Sequence, residues 1–148
     1  MNASSVLGSL AELGKREARP TWLAIGMFDG VHLGHRAVLN LAAEEARKAN
    51  DLVAALTFPE HPAKFLRPGK EPPLLMNPKA KSEALLACGV NWVVMKPFDE
   101  SLSGISSQEF PGYLKEPCGT ACETQTSVSD DLVQMVTDQV LAALQKAS

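Results

Sequence analysis

The 148-residue chain is 45% hydrophobic and 21% charged, and its formal net charge is −3 at pH 7. These are ordinary values for one soluble globular domain, and they exclude a low-complexity chain. There is no basic stripe and no aromatic series on which bases would stack, so no nucleic-acid partner is expected. No apolar run reaches the ~18 residues that would suggest a membrane span, so no membrane partner is expected either.

In chain order, Met1 to Pro20 carries a short Val6-Leu7…Leu10…Leu13 pattern with no basic region before it. No secretory signal is read there, and the cytoplasm is the expected compartment. A strand is predicted over 22–26, a helix over 34–49, a strand over 51–58, a helix over 78–88, a strand over 91–95 and a short helix over 108–116. The first of these helices places Ala37, Val38, Leu41, Ala42 and Ala46 at helical spacing. Leu52-Val53-Ala54-Ala55-Leu56 is a continuous apolar run suited to a strand covered on both faces. The βαβαβ order and right-handed crossovers imply an α/β fold with a parallel, Rossmann-like sheet. Ligands bind such sheets beyond the carboxyl ends of the strands, where His32, His35 and His61, the three histidines of the chain, are expected to converge.

Chemistry concentrates in Gly26-Met27-Phe28-Asp29-Gly30-Val31-His32-Leu33-Gly34-His35, where the first strand gives way to a helix. A helix starting there aims backbone N–H groups and its positive dipole end at an anion. Gly30 and Gly34 let the backbone approach a phosphate, and His32 and His35 can each donate an N–H to phosphoryl oxygens as charge builds up in nucleotidyl transfer. Asp29 is read as positioning substrate or magnesium. The competing reading of Asp29-Gly30 is a plain turn. Of the cysteines, Cys88 falls in a helical pattern with Leu85 and Leu86, while Cys118 and Cys122 have no histidine near them. Neither a disulfide framework nor a protein-held metal is expected.

The stretch Phe28-Asp29-Gly30-Val31-His32-Leu33-Gly34-His35 resembles the signature of the nucleotidyltransferase superfamily, in the form found in bacterial FAD synthetases. Thr57-Phe58-Pro59-Glu60-His61-Pro62 is similar to the family's T-F-x-P-H-P segment, with Glu60 where proline is usual. Lys81 with Gly89-Val90 resembles the third helix and its entry into a strand, and Phe98 through Phe110 resembles the following helix opening. The resemblance covers roughly residues 5 to 110, in family order and spacing. It implies a nucleotidyltransferase-type Rossmann-like domain that joins ATP, with Mg²⁺, to FMN, giving FAD and pyrophosphate. Gly26, Phe28, Asp29, Gly30, His32, Gly34 and His35 would then bind ATP and its phosphates, with His32 and His35 catalytic. Phe58, His61 and Pro62 would face the flavin, with Phe65 and Leu66 near it. Lys64, Arg67 and Lys70 on the Pro59 to Pro73 loop would be near phosphate or flavin, or simply solvated. The family's later ATP-gripping segments and its riboflavin kinase barrel have no counterpart, so an incomplete domain over 1–117 is expected. Family topology would then leave the sheet edge beside 22–28 open to a second copy, another polypeptide or a swapped element.

After a polar linker over 118–129, Asp130 can cap a helix over 130–148 in which Leu132, Val133, Val136, Val140, Ala143 and Leu144 recur at helical spacing. This amphipathic helix resembles the encapsulation peptides that carry enzymes into bacterial microcompartments, and it equally suits a groove or the domain's own surface. Two functions follow from the sequence: an FMN adenylyltransferase-like enzyme, or an inactive nucleotide-binding remnant acting as adaptor or microcompartment cargo through this helix.

Overall fold

β3 (Leu52–Thr57) is the centre of the molecule, and all six of its residues are buried. A computed structural model of the chain describes residues 5–106 and 108–115. The predicted linker over 118–129 and helix over 130–148 lie outside the described residues. β3 pairs in parallel with β2 (Thr21–Ile25) on one side and β4 (Trp92–Met95) on the other, and β4 pairs in parallel with the two-residue β1 (Val6–Leu7). The order is β1-β4-β3-β2, so the expected parallel α/β sheet is present.

Strand alternation divides the core in two. Val53 and Ala55 of β3, with Val93 of β4, face a cluster built from Phe28, Val31, Leu39, Ala43, Ala46, Leu85 and Val90. Ala54, Leu56 and Val94 face the other way, onto Leu7, Leu10 and Leu13. A strand clothed on both faces has no polar side to present, which is why its sequence runs apolar without a break.

The helices start where their caps allow. In α2 (Leu33–Ala49), His32 caps the N-terminus, and Asn50, in the left-handed conformation, closes the C-terminus. In α4 (Pro78–Ala87), the Asn77 side chain accepts the N–H of Ala80 at 2.8 Å, and Pro78 fills the first helical position. The predicted elements over 22–26, 34–49, 51–58, 78–88 and 91–95 match β2, α2, β3, α4 and β4 to within a residue at each end. The helix predicted over 108–116 is found as α6 (Phe110–Lys115).

Among the described residues five elements were not predicted: β1, α1 (Leu10–Arg16), a single 3-10 turn (Asp29–Val31), α3 (Ala63–Leu66) and α5 (Glu100–Ser103). β1, α3 and α5 are too short to show a period. The signal for α1 is present, because Ser9 accepts the N–H of Glu12 at 3.2 Å while the Glu12 carboxylate accepts the N–H of Gly8 at 3.1 Å. This is close to a capping box, with Leu10 and Leu13 buried behind it. The N-terminal pattern therefore supplies sheet and core.

Among the described residues, no strand covers the outer side of β2, where Trp22 is 38% and Ile25 40% exposed. That is the edge expected to be open. No helix of the described residues is long and apolar enough to cross a membrane.

The two-faced core makes a prediction. Leu39 is fully buried against β3, so Leu39→Ala should lower unfolding stability by about 3 kcal/mol in urea denaturation. Leu33→Ala, at a side chain 56% exposed, should stay within about 0.5 kcal/mol of the parent. Equal losses would show that α2 does not present Leu39 to the core as described.

Candidate nucleotide-phosphate site

Between β2 and α2 the chain reverses within a few residues, and three of them take positive φ: Phe28 at 48°, Gly30 at 76° and Val31 at 39°. For a β-branched residue such as Val31 that conformation is costly. Burial holds it there, since Phe28 is 4% and Val31 1% exposed, both within the core on the α2 side of the sheet. The turn is also tied from outside. The Thr57 hydroxyl donates to the Met27 carbonyl at 2.9 Å, and Arg36 Nε donates to the Val31 carbonyl at 3.1 Å. At Gly26 a Cβ would stand 3.2 Å from the Phe28 ring, so the small residue lets that ring fold back under the turn.

The turn delivers His32 to the N-cap of α2. Its Nδ1 accepts the backbone N–H of His35 at 3.4 Å. Nδ1 therefore carries no proton in this arrangement, and the proton of the neutral ring sits on Nε2, as a donor. The His32 and His35 rings stack with centroids 3.6 Å apart and planes 19° from parallel. Phe28 meets His35 edge-on at 5.2 Å. Burial, and then the neighbouring His32, hold the His35 pKa below the ordinary histidine value, against an opposing pull from Asp29. Among the described residues, buried His35 Nδ1 has no hydrogen-bond partner. The result is two stacked imidazoles, the inner one disfavoured as a cation, at a helix N-terminus whose N–H groups and positive dipole end favour an anion. Gly34 belongs to the same geometry, because a Cβ there would lie 3.3 Å from two atoms of the His32 ring.

Asp29, read from sequence as positioning substrate or magnesium, has both carboxylate oxygens engaged by backbone. Oδ1 accepts the N–H of Leu75 at 3.1 Å and of Met76 at 3.2 Å, and Oδ2 accepts that of Leu75 at 2.9 Å. Lys81, which the sequence reading assigned no site role, is fully buried on α4 and donates from Nζ to the Phe58 carbonyl at 2.8 Å. Burial pulls its pKa down, and the Asp29 charge partly restores it. A lysine in a helical pattern reads as solvent-facing, so only its place in the family-like stretch marked it.

The second loop follows β3, the neighbour of β2, so both loops leave the same carboxyl end of the sheet. His61 belongs to this loop and not to the His32–His35 stack. Its Nδ1 accepts the N–H of Ala63 at 3.0 Å, just after Pro62, which opens α3. It lines a groove of about 400 Å³ with Glu60, Lys64, Glu71 and Leu74. Lys64 pairs with Glu60 at 2.6 Å. Phe58 and Phe65 each meet Phe98 edge-on, at 5.6 and 6.0 Å, and Phe65 is 46% exposed. Phe98, on the loop after β4, completes an aromatic trio in which only Phe58 and Phe65 were anticipated. Among the described residues, no three His, Cys, Asp or Glu side chains gather to hold a metal ion.

The FAD synthetase family profile matches residues 14–120. The bifunctional riboflavin kinase/FMN adenylyltransferase of Escherichia coli K12 is 39% identical over 88 residues, covering 60% of this chain and 28% of that protein. The enzyme of the same name from Bacillus subtilis is 33% identical over 97 residues, covering 65% and 31%. A Listeria monocytogenes FAD synthetase is 32% identical over 96 residues, covering 64% and 39%. The chain thus spans less than two-fifths of the length of each of these relatives. Among solved structures, one titled as a macrolide-efflux protein from Streptococcus pneumoniae superposes with a TM-score of 0.56 at 25% identity, over 67% of this chain and 34% of that one. The strained turn, its histidine pair and the ordered parallel strands lie in a chain that belongs to the FAD synthetase family.

Proposed function

We propose that this chain carries an FMN adenylyltransferase site: a phosphate oxygen of FMN attacks the α-phosphorus of ATP, forming the new P–O–P bond of FAD as the bond to pyrophosphate breaks. The observation that carries the reading is the stacked His32–His35 pair at the start of α2. No protein nucleophile is required, because the transfer runs on positioning and charge stabilisation. His32, with Nδ1 engaged by the His35 N–H, offers Nε2–H to a phosphoryl oxygen, and the helix N-terminus faces the same charge. Phe58, Phe65 and Phe98 supply an apolar wall suited to one edge of a flavin ring.

The donor set fits a magnesium ion that arrives on the triphosphate better than one caged by protein. Such an ion supplies neutralisation of the pyrophosphate charge. The open β2 edge supports a further element, a covering strand from a second copy or a partner protein, which light scattering of the purified chain would reveal as a mass above that of the monomer.

Isothermal titration with Mg·ATP tests the site. The wild-type chain should bind saturably, and a folded His32→Ala/His35→Ala double variant should lose at least about tenfold in affinity. A folded wild type that binds no nucleotide would overturn the reading and favour the remnant acting as an adaptor.

Gly34→Ala separates stability from function. Alanine is the better helix former by up to about 1 kcal/mol, so the melting temperature should hold or rise. The new Cβ presses on the His32 ring, so nucleotide affinity should fall.

The pH dependence has a definite sign. The free His35 pKa lies below the ordinary 6.5, and a bound polyanion raises it. Affinity should therefore increase as pH falls through the raised, bound-state value, and level off below the free-state value. For the free protein the sign is opposite: His35 contributes stability above about pH 6.5 that is lost as pH falls through its depressed folded value. Proton uptake on binding, measured in buffers of different ionisation enthalpy, checks the first statement, and thermal melts from pH 8 to 5 check the second.

A further inference from the structure

Residues 67–77 cross from α3 to α4 without regular secondary structure and include Pro68, Gly69, Pro72 and Pro73. Leu74 and Leu75 of this strap are 39% and 77% exposed, while Met76 packs against the core. Even so, Leu75 lies across the phosphate turn, with its Cδ1 3.1 Å from where a Cβ on Gly30 would stand. The hold comes from Asp29, whose two oxygens take the N–H groups of Leu75 and Met76 from 46 and 47 residues away. Hydrogen bonds to a carboxylate are about twice as strong as neutral ones.

The next residue, Asn77, caps α4, and α4 carries Lys81 to the Phe58 carbonyl. One carboxylate thus fixes the strap over the phosphate turn and, through α4, the start of the loop that bears Phe58 and His61. Its oxygens already receive three backbone contacts, which leaves little of the carboxylate for a metal ion.

We propose that Asp29 serves the nucleotide site as a positioning residue: its carboxylate clamps the Leu75–Met76 backbone across Gly30 and so builds one wall of the phosphate pocket, without itself touching magnesium or phosphate. This rests on the turn being the nucleotide-phosphate site.

Two variants cut the clamp from opposite sides. Asp29→Asn removes the charge, and Leu75→Pro removes an N–H donor while leaving Asp29 intact. Amide exchange followed by NMR, without nucleotide, should show Leu75 and Met76 exchanging at least about tenfold faster in folded Asp29→Asn protein, the size of one charged hydrogen bond. Unchanged exchange would overturn the clamp whatever the chain binds. For ATP, titrated with Mg²⁺ and again in EDTA, both variants should bind about tenfold more weakly under both conditions. The double variant should be no weaker than the worse single one, because the two substitutions remove the same contact.

If the wild type binds while Leu75→Pro matches it, and Asp29→Asn is weak only with Mg²⁺ present, Asp29 is a metal ligand and the proposal fails. A wild type that binds no ATP under either condition defeats the adenylyltransferase reading, and the site role of Asp29 falls with it. The exchange arm then still reports whether the clamp exists.

Discussion

Burial of Phe28 and Val31 is the interaction on which the site depends. Each sits at positive φ, a conformation that costs a non-glycine residue about 1–3 kcal/mol. Fully burying side chains of this kind returns about 1.5–3 kcal/mol each. Strain and burial are therefore close to balance, and the bonds from Thr57 and Arg36 to the turn carbonyls tip it toward order. The two buried side chains act as plugs that force the backbone between them outward. What they push to the surface is Asp29, Gly30 and the approach to His32. Core packing and site geometry are thus one constraint.

The histidine pair gains its character from the same source. Two imidazoles 3.6 Å apart cannot both be charged cheaply, and the ring nearer the core pays further for burial. Protonation of the inner ring is therefore disfavoured in the free site, whose attraction for an anion draws on N–H dipoles and the helix terminus. A polyanion bound beside His35 would favour its charged form. In the proposed reaction a site arranged this way would answer most strongly as negative charge builds on the departing pyrophosphate.

Much of this was legible in the sequence, and the parts that were not have physical reasons. Glycines, histidines and a strand-to-helix change within ten residues mark the candidate phosphate turn, because that pattern is local. The run 52–56 identifies a central strand, because burial on both faces leaves only apolar residues. The N-terminal strand could not be read, since two residues show no period and pairing with Val93 and Val94 is a tertiary fact. Lys81 and Phe98 escaped for a related reason: a lysine in a helix and a phenylalanine in a loop gain meaning only from what the fold brings to them. Asp29 was seen, but its partners at Leu75 and Met76 lie too far along the chain for any spacing rule.

The two halves of the candidate site therefore differ in how they are built. The phosphate side is assembled within one turn and one helix start, so its donors are fixed by short-range geometry. The aromatic side draws Phe58 from the end of β3, Phe65 from α3 and Phe98 from beyond β4, and it exists only while those strands stay in register. Lys81 on the Phe58 carbonyl, and the Asp29 charge that Lys81 feels, are the bridge between the halves. Loosening the sheet would consequently disturb the aromatic side directly, and would also free the turn from the Thr57 bond and from the core beneath Phe28 and Val31. A disturbance at Asp29 would reach both sides, because its carboxylate holds the strap directly and Lys81 electrostatically.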